Sequence, residues 1–401
     1  MCGTGPRSAM WHRKQRSVCR TAAALCVQTR FVSFLRTVHM PAQAYEKSAT
    51  ALPLYRRRLV MMKSIPVQEA VGTVLCHDLT RIVPGEFKGR AFKKGHVITA
   101  EDIPHLLNIG KEHLYVLSLG DTHIHEDEAA RRIAEAAAGP GISLSECSEG
   151  RINFIAEPGL LQINTQALAA INSVPDVVLA TMHTNQHIPM ARPVAGTRIV
   201  PLVIERERIE QVEAICAAHY PVVQVAPLRQ FRVGAVTTGN EILHGRIKDK
   251  FGPVMRKKFA ALGSSVMGQT FVGDDPQATR AAILSFVAEG ADMVVVTGGM
   301  SVDPDDQTPA SIRSTGADVV TYGSPTFPGV MFMLAYLGDV PVLGLPGCVM
   351  YYRASIFDLV VPRLLAGQPV TRQDIASLAH GGFCAGCEPC RYPVCPFGKS
   401  A

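Results

Sequence analysis

Residues 291–309 read ADMVVVTGGMSVDPDDQTP, and the fold turns on how this stretch is interpreted. It opens with the apolar run Met293-Val294-Val295-Val296, whose lack of alternation predicts a strand buried on both faces, as in a parallel sheet. The run stops at Thr297-Gly298-Gly299, where two glycines admit backbone angles closed to bulkier residues. Asp303, Asp305 and Asp306 follow within four residues. Thr308 then offers a helix N-cap and Pro309 a first helical position. This order suits a phosphorylated ligand, because glycines let backbone N–H groups approach an anion and carboxylates hold Mg²⁺ against it. The same letters also describe a tight turn with solvated acids and an ordinary cap. The surrounding sequence decides between the two.

From Phe231 onward the chain alternates regularly. Strands are expected over 231–236, 265–272, 293–296, 318–322 and 340–343. Helices are expected over 253–262, from Asp274-Asp275-Pro276 to Gly290, briefly from Pro309, and over 349–365. Such alternation implies βαβ units in an α/β fold, a parallel sheet with helices on both faces. Ligands of open α/β sheets bind beyond the carboxyl ends of the strands. Three special turns fall at such ends: Thr237-Thr238-Gly239-Asn240-Glu241, the glycine-acid loop 297–306, and Gly344-Leu345-Pro346-Gly347. Three turns on one edge outweigh the reading of a single solvated loop.

The flanks differ. Residues 62–228 mix short strands and helices, with strands expected over 71–75, 115–119, 176–180 and 197–204 and helices over 126–138, 161–172 and 205–218, forming a smaller mixed α+β region. Residues 1–61 hold eleven Lys/Arg between positions 1 and 60 against the single acid Glu46, so the formal charge of +6 is concentrated there and the remainder is mildly acidic. That balance does not indicate a nucleic-acid surface. The basic extension has the composition of a transit peptide; a start codon placed upstream of Met61-Met62-Lys63 is the preferred explanation. With 47% hydrophobic residues and no apolar run near the roughly 18 residues of a membrane span, the chain reads as globular and cytoplasmic, with no membrane partner. His183, His187 and His219 fit no compact ligand set. Of eleven cysteines, four crowd into the last eighteen residues as Cys384-x2-Cys387-x2-Cys390-x4-Cys395. That spacing suits a thiolate metal site, zinc or iron–sulfur, at the end of a linker starting at Gln368. The domain division is therefore 1–61, 62–228, 229–367 and 368–401.

Residues 233–365 resemble the molybdopterin-binding domain shared by molybdopterin adenylyltransferases and molybdopterin molybdenumtransferases. The resemblance rests on Thr238-Gly239-Asn240-Glu241, Asp274-Asp275-Pro276, Thr297-Gly298-Gly299-Met300-Ser301 and Leu345-Pro346-Gly347, in that order. Residues 62–228 resemble the molybdenumtransferase branch more weakly. The resemblance implies an enzyme that inserts molybdate into adenylylated molybdopterin with release of AMP, or a non-catalytic carrier or sensor of the cofactor. It implies a homo-oligomer, since family members commonly form dimers or trimers. Thr238, Gly239, Asn240, Gly298, Gly299, Ser301, Pro346 and Gly347 take the cofactor-binding positions. Asp303, Asp305 and Asp306 take the Mg²⁺, and Glu241, Asp305 and Asp306 the catalytic positions. This chain departs from the pattern in three places: Asn240 stands for a family carboxylate, the acidic loop gains Asp303 and Asp305, and Cys348-Val349 replaces an Asn-Pro pair.

Overall fold

The computed structural model describes residues 62–83, 87–117 and 122–399. The basic extension thus lies outside the described residues. The chain divides into two compact units at Ser118/Leu119. In the first, strand Met62–Pro66 runs antiparallel to His113–Leu117, and Leu79–Val83 pairs with Phe87–Phe92. Helix Asp102–Asn108 contributes Leu106 to a small core with Ile65, Val67, Leu79, Ile98 and Leu114. The strand expected over 71–75 is reduced to an isolated bridge, Val74 to Val97.

The second unit begins with two larger antiparallel sheets, a two-stranded pair of His123–His125 with Val203–Glu205, and three helices. Ile142–Leu144, Ile152–Ala156, Arg192–Ile199 and Val177–Thr181 form one sheet; Gln186–Ile188, Gly159–Ile163 and Val223–Ala226 form the other. Helices Glu126–Ala137, Thr165–Asn172 and Arg206–Ala218 close one shared core. Here the expected helix over 161–172 starts late. Its first residues join strand Gly159–Ile163, and Asn164 caps the helix by accepting from the Ala167 N–H. The single strand expected over 197–204 is two, Arg192–Ile199 and Val203–Glu205.

A six-stranded sheet follows. Its strands are β1 (Arg232–Thr238), β2 (Ser265–Val272), β3 (Met293–Thr297), β4 (Asp318–Tyr322), β5 (Met333–Leu337) and β6 (Val340–Leu345). They lie in the order β2-β1-β3-β6-β5-β4. The β1–β2, β1–β3 and β3–β6 pairs are parallel; β5 and β4 are antiparallel additions at one side. The β3 run is buried on both faces, as its sequence predicts. Met293 and Val295 pack into one core with Phe259, Phe357 and Val360, whereas Val294 and Val296 pack into another with Ile283, Phe286 and Ile312. The helices supplying these residues are α1 (Phe251–Ala260) and α4 (Ile356–Leu365) on one side, α2 (Pro276–Ala288) and α3 (Thr308–Ser314) on the other.

Around this sheet, strand β5 and the last helix of the domain depart from the sequence reading. Strand β5 was not anticipated; it pairs with β6 through a two-residue Gly338-Asp339 turn, with Leu337 opposite Val340 and Gly338 at φ 60°. A glycine-containing pair between two apolar runs is the hairpin signal that finds it. The helix expected over 349–365 is broken into a short turn, Cys348–Tyr351, and α4. Ser355 starts α4 with a capping box, the Asp358 carboxylate accepting from the Ser355 N–H at 2.9 Å, a local bond that satisfies donors the helix cannot.

Candidate functional site

Strand order picks out the candidate site. From β1 the chain moves to β2 on one side and then to β3 on the other, so the direction of winding reverses between β1 and β3. At such a switch point the loops beyond the carboxyl ends of two neighbouring strands diverge and leave a crevice. The turn after β1 and the turn after β3 stand at this switch point, and the turn after β6 lies one strand further along. All three turns singled out from the sequence thus stand on adjacent parallel strands.

The first two turns are bound to each other. Gly298 and Gly299 have φ of 89° and 55°, the left-handed region. A side chain at Gly298 would run into the Thr238 carbonyl and hydroxyl, so the position needs glycine for space as well as conformation. Thr308 donates its hydroxyl to the Gly298 carbonyl at 2.9 Å, and its N–H donates to the Gly299 carbonyl at 3.1 Å. Its hydroxyl also meets that of Thr238 at 3.4 Å. Thr308 is therefore not the N-cap that the sequence suggested: Gln307 holds that position, and Thr308 clamps the glycine turn.

The acidic loop is held by its own backbone. The Asp303 N–H donates to the Asp306 carboxylate at 3.1 Å, and the Asp306 N–H to the Asp303 carbonyl at 2.9 Å. Gln307 closes the turn onto the Pro304 carbonyl. Ser301, Asp303 and Asp305 are exposed, and Asp306 is half-buried. Tyr322, from β4, anchors the loop start by donating its hydroxyl to the Met300 carbonyl at 2.9 Å. Burial pushes that phenol up; the Arg313 guanidinium, 5.5 Å over its ring, opposes the shift and the Asp306 charge adds to it.

Residues of the turn after β1 are also braced. Asp274, one half of the Asp274-Asp275-Pro276 motif, accepts the Asn240 N–H at 3.2 Å; Asp275 caps α2, accepting from Gln277 at 2.9 Å. Gly239, at φ 133°, leaves room for the Glu241 carboxylate beside it. Sequence reasoning missed Gln269, which donates to the Thr237 hydroxyl at 3.0 Å and to Asp249 at 2.8 Å while accepting from Arg256 at 3.1 Å. No local pattern signals it, because its role arises from the β1–β2 pairing. Pro346 is buried and Gly347 exposed at the third turn, and burial pushes the following Cys348 thiol up.

The tail cysteines lie on an ordered loop apart from these turns in sequence. The Cys384 N–H donates to the Phe327 carbonyl at 2.8 Å, and Cys384 and Cys395 pack on the core of α1 and α4. Among the described residues no three His, Cys, Asp or Glu side chains gather as a metal site, neither at the aspartates nor at the cysteines.

Comparison with known proteins points to the same segment. Residues 234–366 match the probable molybdopterin binding domain family, and residues 64–118 match a domain family of unknown function. A CinA-like protein of Mycobacterium sp. (strain MCS) is 36% identical over 90 residues, 22% of this chain and 21% of its own length. The CinA-like protein of Mycobacterium leprae is 42% identical over 78 residues, 19% of this chain and 18% of its own. The chain thus spans about a fifth of the length of the curated relatives it matches. Among solved structures, the molybdopterin biosynthesis enzyme MoaB of Thermus thermophilus aligns at TM-score 0.28 and 20% identity, over 35% of this chain and 99% of that one. A tungsten cofactor synthesizing protein MoaB of Pyrococcus furiosus aligns at TM-score 0.26 and 24% identity, over 30% and 84%. Residues 234–366 thus belong to the probable molybdopterin binding domain family.

Proposed function

We propose that the crevice between the turns after β1 and β3 binds adenylylated molybdopterin, and that the protein is a molybdenumtransferase-like enzyme inserting molybdate and releasing AMP. The observation that carries this reading is the clamp of Thr308 and Thr238 on Gly298-Gly299 at the switch point of the sheet. A glycine turn held rigid beforehand presents main-chain N–H groups to a phosphate without an ordering cost at the moment of binding. In this reading Gly298, Gly299 and the Ser301 hydroxyl hold phosphate oxygens. Thr238, Gly239 and Asn240 line the opposite wall, and Pro346-Gly347 closes the third side. The ligand is a small molecule, and no nucleic acid is required.

Mg²⁺ fits the donors present. It takes one or two protein carboxylates when substrate phosphates complete its shell, and the exposed Asp303 and Asp305 supply hard oxygens without needing three gathered side chains. Asp306 and Glu241 are the further donors. When bound, such an ion offsets the negative charge that grows as the phosphoanhydride P–O bond breaks and AMP departs. The chain itself contributes position: the Asp303–Asp306 backbone bonds fix where the acidic loop presents its carboxylates.

A carrier or sensor role is the second reading, favoured by Asn240. This residue stands where the family places a carboxylate, and its N–H is committed to Asp274. One experiment separates the two. Purified protein incubated with adenylylated molybdopterin, molybdate and Mg²⁺ should release AMP, and Asp305→Asn/Asp306→Asn should bind ligand with weaker Mg²⁺ dependence by calorimetry. Binding without AMP release would establish the carrier; no binding at all would end both readings.

A further inference from the structure

We propose that the loop closed by Gly381 and Gly398 is a four-thiolate metal site, separate from the molybdopterin turns and independent of that reading. The Gly398 N–H donates to the Gly381 carbonyl at 2.9 Å, so the 16 residues between them leave and rejoin the body at one point. Both ends are fastened. Phe383 pairs with Phe327 in an isolated parallel bridge, with the Phe327 N–H donating to Gly382 and the Cys384 N–H to Phe327, each at 2.8 Å. At the other end Phe397 is buried in the core of α4.

Between these ends the loop has neither helix nor strand beyond that bridge. Loops of this length without secondary structure are uncommon in compact domains and need something to hold them. Apolar packing is confined to Cys384, Tyr392, Cys395 and Phe397, which lie against the core of α1 and α4. Tyr392 reaches in, its hydroxyl donating to the Asp358 carbonyl at 3.2 Å, but Phe383 and Val394 are 74% and 71% exposed. What remains inside are Cys384, Cys387, Cys390 and Cys395, all half-buried and none in a disulfide.

Two details fit thiolate ligation. Cys387 Sγ accepts the Arg391 N–H at 3.4 Å, the kind of backbone bond to sulfur that supports a ligating thiolate. Gly386, at φ 66°, reverses the chain directly before Cys387, the bend a Cys-x2-Cys pair needs to turn both sulfurs to one side. The thiols do not already converge among the described residues. Metal binding would therefore draw them together within a loop whose ends are already closed, coupling ligation to local folding. The occupant is a thiophilic centre, either one zinc ion or an iron–sulfur cluster. Its effect would be to fix the segment around Phe327 and the start of α4, which the loop touches through Phe327 and Asp358.

The test uses the full chain purified without oxygen. Expected is either one zinc per chain with no visible absorption, or iron and acid-labile sulfide in equal amounts with a broad visible band. The first outcome assigns zinc and the second a cluster. The metal-free chain titrated with Co²⁺ should develop thiolate–cobalt absorption that saturates at one equivalent. Cys387→Ser/Cys390→Ser should abolish that signal, whereas Cys147→Ser should leave it intact. Should the double variant misfold, wild-type thiol reactivity decides: metal must shield Cys384, Cys387, Cys390 and Cys395 from alkylation, read by peptide mapping. A chain that carries no metal and gives no cobalt signal, with these four thiols equally reactive before and after metal addition or found paired as disulfides, would overturn the proposal.

Discussion

Thr308 shows how one buried side chain can fix a turn from behind. Only 2% exposed, it spends its hydroxyl on the Gly298 carbonyl and its N–H on Gly299, fixing the glycine turn from behind. Thr308→Val keeps the shape and removes the hydroxyl, leaving a carbonyl short of its donor. The expected cost is about 1–3 kcal/mol of stability, with a larger proportional loss of ligand affinity because the turn loses its fixed geometry. Chemical denaturation and calorimetry on the same preparation check both halves. Equal affinity in the variant would show that the clamp is purely structural. Asn240 teaches the complementary lesson, since a residue read by resemblance as a ligand contact is also tied by its backbone to Asp274.

Among the elements, the helices Glu126–Ala137 and Arg206–Ala218 are joined by a two-point ion pair, Arg132 to Glu213, with both bonds at 2.7 Å. The hydrogen bond from Arg132 holds the Glu213 carboxyl below the usual glutamate range, outweighing its burial. A depressed carboxyl pKa contributes stability that is present above the unfolded-state value and is lost as pH falls through the folded-state value. Glu213→Gln should therefore lower stability at neutral pH and flatten its decline on acidification. Urea melts at neutral pH and near about pH 3 give the comparison. The effect will be small, because the Glu213 side chain is 36% exposed and such pairs are screened. At α4 the capping box of Ser355 and Asp358 is joined by Lys258, whose ammonium lies 2.8 Å from both Asp358 oxygens. A helix start is thereby fastened to α1 across the core that the tail loop covers.

For the molecule as a whole, the arrangement of strands matters more than any one residue. The turns after β1, β3 and β6 stand side by side because these three strands are parallel neighbours. Ligand bound there should slow amide hydrogen exchange in segments 239–247, 298–307 and 347–352 together. Mass-spectrometric exchange with and without molybdopterin measures this, and protection limited to one turn would remove the shared-crevice reading. Among the described residues no helix is long and apolar enough to cross a membrane.

The α/β class was legible in the sequence, because β3 carries an unalternated apolar run and each turn carries glycine or proline where backbone geometry demands it. The identity of the family was legible in four short ordered motifs for the same reason: glycines and caps act locally, within a few residues. Strand β5 and the break before α4 carry local signals that the sequence reading passed over, the Gly338-Asp339 turn and the Ser355–Asp358 capping box, whereas the clamp by Thr308 and the brace by Gln269 were decided only by tertiary structure. Each depends on a partner from another strand or turn, Gly298 lying ten residues before Thr308 and Thr237 thirty-two before Gln269. Local propensity carries no information about such partners. The sequence by itself therefore determined which turns are special, and the strand order alone determined that they follow neighbouring parallel strands.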